Sequence, residues 1–197
     1  FQALYSNTTG SINTALGYQA LNSNTTGNYN IALGYKALFS NTTGSSNTAL
    51  GFNALVSNTT GTANTALGYQ ALFSNSSGQF NTALGYQAGY TSVAGNANAI
   101  GTNNTFLGYN SGPGSTNWLT NAAAIGSYAT VTCPNCLVLG SIEGINTATA
   151  SASVGIGIAS PIAVLDVRGG NTGGNAALIV NQTGASANDI FTASASG

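Results

Sequence analysis

Histidine and methionine are missing from this chain, and charge is nearly so: two Lys/Arg and three Asp/Glu among 197 residues. That is 3 % charged residues, where about 25 % is usual for soluble domains. Four of the five charges come late, at Glu143, Asp166, Arg168 and Asp189, with Lys36 alone before them. Without imidazole, and with scattered carboxylates, there is almost nothing to move protons near neutral pH. Composition therefore argues against most hydrolases, transferases and metalloenzymes, and neither enzymatic activity nor a cofactor is expected. A net charge of −1 offers no basic field to nucleic acid or to an anionic membrane. No apolar run approaches the roughly 18 residues of a membrane span, so this segment is not expected to insert. A chain that is 43 % hydrophobic is nevertheless too apolar for charge-driven disorder.

What the chain has in abundance is repetition. Asn-Thr-Ala-Leu-Gly begins at Asn13, Asn47, Asn64 and Asn81, with Asn-Ile-Ala-Leu-Gly at Asn30, so successive starts differ by 17 (30 − 13, 47 − 30, 64 − 47, 81 − 64). Ser-Asn-Thr-Thr-Gly ends at Gly10, Gly27, Gly44 and Gly61 and returns as Ser-Asn-Ser-Ser-Gly at Gly78. An aromatic follows the first motif each time, at Tyr18, Tyr35, Phe52, Tyr69 and Tyr86, and Phe1 stands in the same column. The chain thus starts in mid-repeat and without a basic leader, and it is expected to be part of a longer protein.

A period this short excludes the common helical repeats, which need about 33 to 47 residues. Two glycines, several Asn and β-branched Thr in each period also disfavour helix. A parallel β-coil fits. Thr-Ala-Leu-Gly-Tyr and Gln-Ala-Leu-Tyr read as short extended runs, and Asn-Thr-Thr-Gly as the turn between them. Stacked coils place equivalent residues above one another at ~4.8 Å. The scarcity of charge then has a reason, because a charge repeated in register would meet its own copy one rung away. Neutral Asn, Thr and Ser can instead bond rung to rung. Gly17, Gly34, Gly51, Gly68 and Gly85 suit a corner that needs positive φ or close backbone approach.

Beyond Gly85 the spacing drifts. Asn98-Ala99-Ile100-Gly101 and Asn104-Thr105-Phe106-Leu107-Gly108 read as shortened or shifted coils. The strings Asn121–Gly126 and Asn135–Gly140 start 14 apart (135 − 121). A loop at 111–120, with Gly112-Pro113-Gly114 and Trp118, is a candidate contact loop on a repetitive scaffold. The aromatic column can stack outside the coil or wedge between subunits, with packing the expected role.

These N-x-A-(I/L)-G strings resemble the head repeats of trimeric autotransporter adhesins, over about residues 1–142. The closest matches are Asn121–Gly126 and Asn135–Gly140; the longer coils depart by a longer turn. The resemblance implies a left-handed parallel β-roll and three rolls around a threefold axis. Carried over, it puts Leu16, Leu33, Leu50, Leu67 and Leu84 in the roll's interior. It turns Ala15, Ala32, Ala49, Ala66 and Ala83 toward partner chains. Farther on, Val154-Gly155-Ile156-Gly157, Ser160-Pro161 and Leu165-Asp166-Val167 resemble a connector of phage tail fibres and large β-rich surface proteins. Leu178-Ile179-Val180 and Asp189–Thr192 read as further short strands.

The expected organisation is all-β. A repetitive β-roll or β-solenoid covers 1–142, regular to about 95 and irregular over 96–142, and a β-rich connector covers 143–197. Cys133-Pro134-Asn135-Cys136 lacks the further His or Cys that a zinc site needs. A local disulfide is the main reading, beside two free buried thiols or a bond between chains. Asn-x-Ser/Thr triplets at Asn7, Asn24, Asn41, Asn58, Asn75, Asn103 and Asn181 are glycosylation candidates or by-products of turn chemistry. No metal site is expected. The functional expectation is a structural and adhesive fibre, homotrimeric or filamentous, outside the cell or on a virion surface. Its partner would be a host-surface, matrix or glycan receptor. A phage tail-fibre shaft and an ice-binding solenoid are the alternatives.

Overall fold

The computed structural model describes residues 1–90, 101–114, 119–141, 151–156, 160–162 and 165–167. Trp118, the Asn181 triplet and the strands expected at Leu178-Ile179-Val180 and Asp189–Thr192 lie outside the described residues. The chain divides into two compact units, Phe1–Ala152 and Ser153–Gly197.

The first unit is a parallel β-solenoid, all-β, with no helix among the described residues. Its short strands are β1 (Thr14–Leu16), β2 (Ile31–Leu33), β3 (Thr48–Leu50), β4 (Thr65–Leu67), β5 (Thr82–Leu84), β6 (Thr105–Leu107), β7 (Gly112–Pro113), β8 (Ala123–Ile125), β9 (Thr130–Val131) and β10 (Leu137–Leu139). One eight-stranded sheet runs β1-β2-β3-β4-β5-β6-β8-β10, and β7 pairs with β9. Every pairing is parallel, and like residues face each other: Ala15 with Ala32, Leu16 with Leu33, Leu33 with Leu50. The files survive the drift in spacing, since Leu84 pairs with Leu107, Leu107 with Ile125, and Ile125 with Leu139. In the second unit, β11 (Val154–Ile156) pairs in parallel with β12 (Leu165–Val167).

The strands are only two or three residues long because each coil must also turn back to its own start. Gln-Ala-Leu, expected to be extended, forms one of these turns. Gln19, Leu21 and Tyr29 have φ of 55°, 50° and 59°, and the same columns repeat this in later coils. Left-handed backbone at a bulky residue costs on the order of 1–3 kcal/mol. It persists here because the turn is held twice. The Leu21 amide donates to the Ala37 carbonyl of the next coil at 3.0 Å, and the Leu21 side chain is fully buried. The corner glycines meet both demands placed on them. Gly51 has φ +138°, and a Cβ there would strike the Gly68 carbonyl oxygen.

The core corrects the expected side-chain assignment. Ala32, Ala49, Ala66 and Ala83 are completely buried inside the coil and Ala15 partly so, while Leu16, Leu50 and Leu84 are exposed and Leu33 and Leu67 half-buried. Neither expected role holds within the chain: the Leu column does not fill the roll, and the Ala column does not face outward. Strand geometry decides this, because in Thr-Ala-Leu the central side chain points opposite to its neighbours. The interior is narrow, so a methyl group suits the strand's centre. The larger interior residue comes from the opposite wall, from Leu21, Leu38, Leu55 and Leu72, flanked by Ala20, Ala37, Ala54 and Ala71.

Two files of buried asparagine complete the interior. Asn41 Nδ2 donates to Asn24 Oδ1 at 2.7 Å, Asn58 to Asn41 at 2.8 Å and Asn75 to Asn58 at 3.1 Å. In the second file the amide oxygen of each rung accepts the next rung's backbone N–H, from Asn13 through Asn104 to the Ala122 amide at 3.0 Å. Side chains of the first file also close their own turns, as Asn58 Nδ2 does on the Gly61 carbonyl at 3.1 Å, while those of the second reach the next coil's turn, as Asn47 Nδ2 does on the same carbonyl at 2.8 Å. Neutral amides both donate and accept, so one residue type serves every rung.

One rung departs from the pattern and shows how tightly volume is controlled. Phe106 pairs with Ala83 and occupies the alanine column, fully buried. Gly89 takes the place of Leu72 one coil on, and a Cβ there would lie 3.1 Å from Phe106 Cδ2. A large residue on one wall is thus matched by a minimal one on the other.

Candidate functional site: the outward face of the sheet

With alanine inside, Thr and Leu of each strand point out. The outer surface of the eight-stranded sheet carries a file of Leu16, Leu33, Leu50, Leu67, Leu84, Leu107, Ile125 and Leu139. Beside it runs a file that begins Thr14, Ile31, Thr48, Thr65 and Thr82. Leu50 is 44 % exposed and its neighbour Ala49 is 0 %. Seven strand spacings give a length of ~34 Å, and the width from the Thr file to the aromatic file is ~13 Å. The resulting footprint of about 450 Å² falls among the largest apolar patches of monomeric proteins, which are often functional.

The aromatic file stacks on the outside. Phe1, Tyr18, Tyr35, Phe52, Tyr69, Tyr86 and Tyr109 form a continuous column with ring centroids 4.9–5.8 Å apart and planes within 15° of parallel. Ring faces are therefore turned toward one another, and ring edges and hydroxyls toward solvent. The column ends in an edge-on contact of Tyr109 with Tyr128, centroids 5.1 Å apart. A hydrogen bond with Tyr128, followed by repulsion between the two phenolates, holds the Tyr109 phenol above its ordinary pKa.

Lys36, the one lysine or arginine in the described part of the solenoid, lies over Tyr35 at 5.5 Å and Phe39 at 5.2 Å. It interrupts a file of neutral amides in which Gln19 Nε2 donates to Gln2 Oε1 at 2.8 Å and Gln87 Nε2 to Gln70 Oε1 at 2.7 Å.

Other candidates fall into place around this face. Asn24, Asn41, Asn58 and Asn75 are buried, with their amide nitrogens committed to the ladder, so those four triplets present no accessible acceptor. Cys133 and Cys136 are joined in a disulfide. The Cys136 carbonyl accepts the Ala123 amide at 2.8 Å, which places Cys136 on the rung that follows Ala122 and Asn104. The bonded pair thus ties the turn of the 14-residue coil where the asparagine ladder has given out. Among the described residues no cluster of His, Cys, Asp or Glu could hold a metal ion, and no helix is long and apolar enough to cross a membrane.

Sequence reasoning missed the outward Leu file because it assigned the larger apolar residue to the interior. The alternation rule, applied within Thr-Ala-Leu, contains the needed signal once Gln-Ala-Leu is recognised as the opposite wall. These features define a protein of the parallel β-solenoid class with an apolar, periodic, uncharged outer face. Comparison with protein-family models, curated proteins and solved structures found no match.

Proposed function

We propose that this chain is a segment of a structural and adhesive fibre, and that its Thr/Leu face packs against identical copies, most simply three. One observation carries the reading: an unbroken outward row of Leu and Ile along every strand of the main sheet. A file with a repeat of one strand spacing is matched best by another file with the same spacing, and a second copy supplies it. The lack of charge on the face removes the desolvation cost that buried ions would add. The likeness to trimeric adhesin head repeats supports the same assembly, with the Leu column in the partner-facing role first given to alanine. An extracellular or virion-surface setting agrees with the disulfide. The Val154–Ile156 and Leu165–Val167 pair, within the connector-like motif, supports a tail-fibre shaft as the viral form of the same design.

Sedimentation equilibrium tests the assembly. The expected mass is three times the 19.5 kDa of the chain. The double substitution Leu50→Asp, Leu84→Asp should return it to a folded monomer, since both sites are exposed and two rungs apart, so that neither Asp faces the other directly. A monomeric wild-type chain overturns the reading.

One observation favours a second reading, as an ice-binding solenoid. Thr9, Thr26, Thr43 and Thr60 form an exposed row on the turn. The preceding threonines are engaged: Thr25 Oγ1, for example, donates to the Thr42 carbonyl at 3.0 Å. Thermal hysteresis in concentrated solution would support this reading, and its absence would remove it.

A further inference from the structure

We propose that the stacked aromatic file is a binding track for a neutral, extended polysaccharide; this deepens the adhesive reading by naming its partner. The track lies beside the Thr/Leu face that packs between copies and has two chemically distinct rails. The first is the row of ring edges, with centroids 4.9–5.2 Å apart from Tyr18 to Tyr86 and a phenol hydroxyl on every ring but Phe52. The second is the half-buried amide file one residue on, where the Gln19–Gln2 and Gln87–Gln70 bonds each use only part of the amide's capacity.

The stacking itself indicates what the track can accept. Ring faces are occupied by neighbouring rings, so flat ligands cannot intercalate along the column. The hydroxyls of Tyr18, Tyr35, Tyr69 and Tyr86 have no protein partner among the described residues. They add groups that donate and accept to a continuous row of apolar ring edges, at every rung from Tyr18 to Tyr86 except that of Phe52. A polymer of sugar rings presents the same pair of features, apolar C–H surface and hydroxyls, repeated at every unit along an extended chain.

Charge selects among possible partners. With Lys36 the only charged side chain described in the solenoid, and that one folded over Tyr35 and Phe39, the track offers no row of cations. Sulfated or carboxylated glycans, nucleic acids and anionic lipid surfaces all need such a row. A neutral glycan does not. Many weak, identical contacts along ~20 Å of track then sum through avidity.

Affinity electrophoresis in gels containing a neutral β-glucan tests the proposal, with carboxymethyl cellulose and heparin gels as controls. The key variant replaces Tyr18, Tyr35, Tyr69 and Tyr86 by Phe. The column already holds Phe1 and Phe52, so stacking persists while four hydroxyls are lost. Retardation of the wild-type chain by the neutral polymer, weakened about tenfold or more in the four-Phe variant, is the expected result. No retardation, equal retardation of both proteins, or retardation only by the anionic polymers would overturn it. Sedimentation of the same two proteins separates this outcome from the assembly reading. Unchanged mass with lost binding locates the track on the aromatics, and a monomeric wild type that is still retarded leaves the track standing without the trimer.

Discussion

Phe106 and Gly89 invite a double-mutant cycle, because each makes sense only through the other. Phe106→Ala returns the rung to the alanine of Ala83 and Ala124, with which Phe106 pairs. It empties a ring-sized space that Gly89 cannot fill. Deleting a fully buried phenylalanine side chain costs about 3–5 kcal/mol. Gly89→Leu restores the residue found at Leu72 but drives atoms into occupied volume, since even its Cβ would lie 2.6 Å from Leu72 Cδ2 and 3.1 Å from Phe106 Cδ2. Overpacking of this kind costs about 1–3 kcal/mol. Backbone conformation adds little to that, since Gly89 has φ 74° and Leu72 already adopts 49° in the same column. Additive effects would leave the double variant about 4–8 kcal/mol below wild type. If the two walls share one volume, the double variant rebuilds an ordinary rung and loses no more than about 2 kcal/mol, a coupling at or above the upper end of contacting pairs. Urea unfolding followed by circular dichroism, with unchanged m, measures it. A double variant less stable than either single one would refute the claim that volume is exchanged across the coil.

Three further predictions follow from the ladders and the C-terminal coils. Asn58→Ala removes a side chain that donates to Asn41 and Gly61 and accepts from Asn75; thermal unfolding should show a loss of about 3 kcal/mol, from buried polar groups left unpaired. Tyr128→Phe should lower the Tyr109 phenol toward its ordinary value in an ultraviolet phenolate titration, by removing the largest cause of its upward shift. A raised folded-state pKa means that this contribution is complete below the unfolded value and lost as pH rises through the folded one, so any effect on stability should be confined to alkaline pH. Cys133→Ser with Cys136→Ser should speed hydrogen exchange at the Ala123 amide, which donates to the Cys136 carbonyl. Exchange at Thr48–Leu50 should be unchanged, because coils contact mainly their neighbours.

Much of the architecture was legible in the chain itself. An exact period, columns of one residue type and the near absence of charge specify parallel coils in register, and the glycine column marks its own corner. The asparagine ladders were legible as well, because a neutral side chain that donates and accepts is what a stacked turn needs. Side-chain direction was less accessible. Gln-Ala-Leu has the composition of a strand, and nothing local announces that Gln19 and Leu21 will take left-handed backbone. That conformation is unfavourable for one residue and becomes stable only when neighbouring coils bond to it.

Period and composition alone therefore determined that the chain coils, stacks in register and avoids charge, since those properties follow from repeating one short segment at one strand spacing. Which wall supplies the interior was decided only by the closed cross-section. Once the coil closes there is room for one leucine and two alanines per turn, and strand alternation turns Leu16, Leu33, Leu50, Leu67 and Leu84 outward. Pairwise compensation such as Phe106 with Gly89 belongs to the same category. The two residues stand 17 apart in sequence (106 − 89), and only the volume they share relates one to the other.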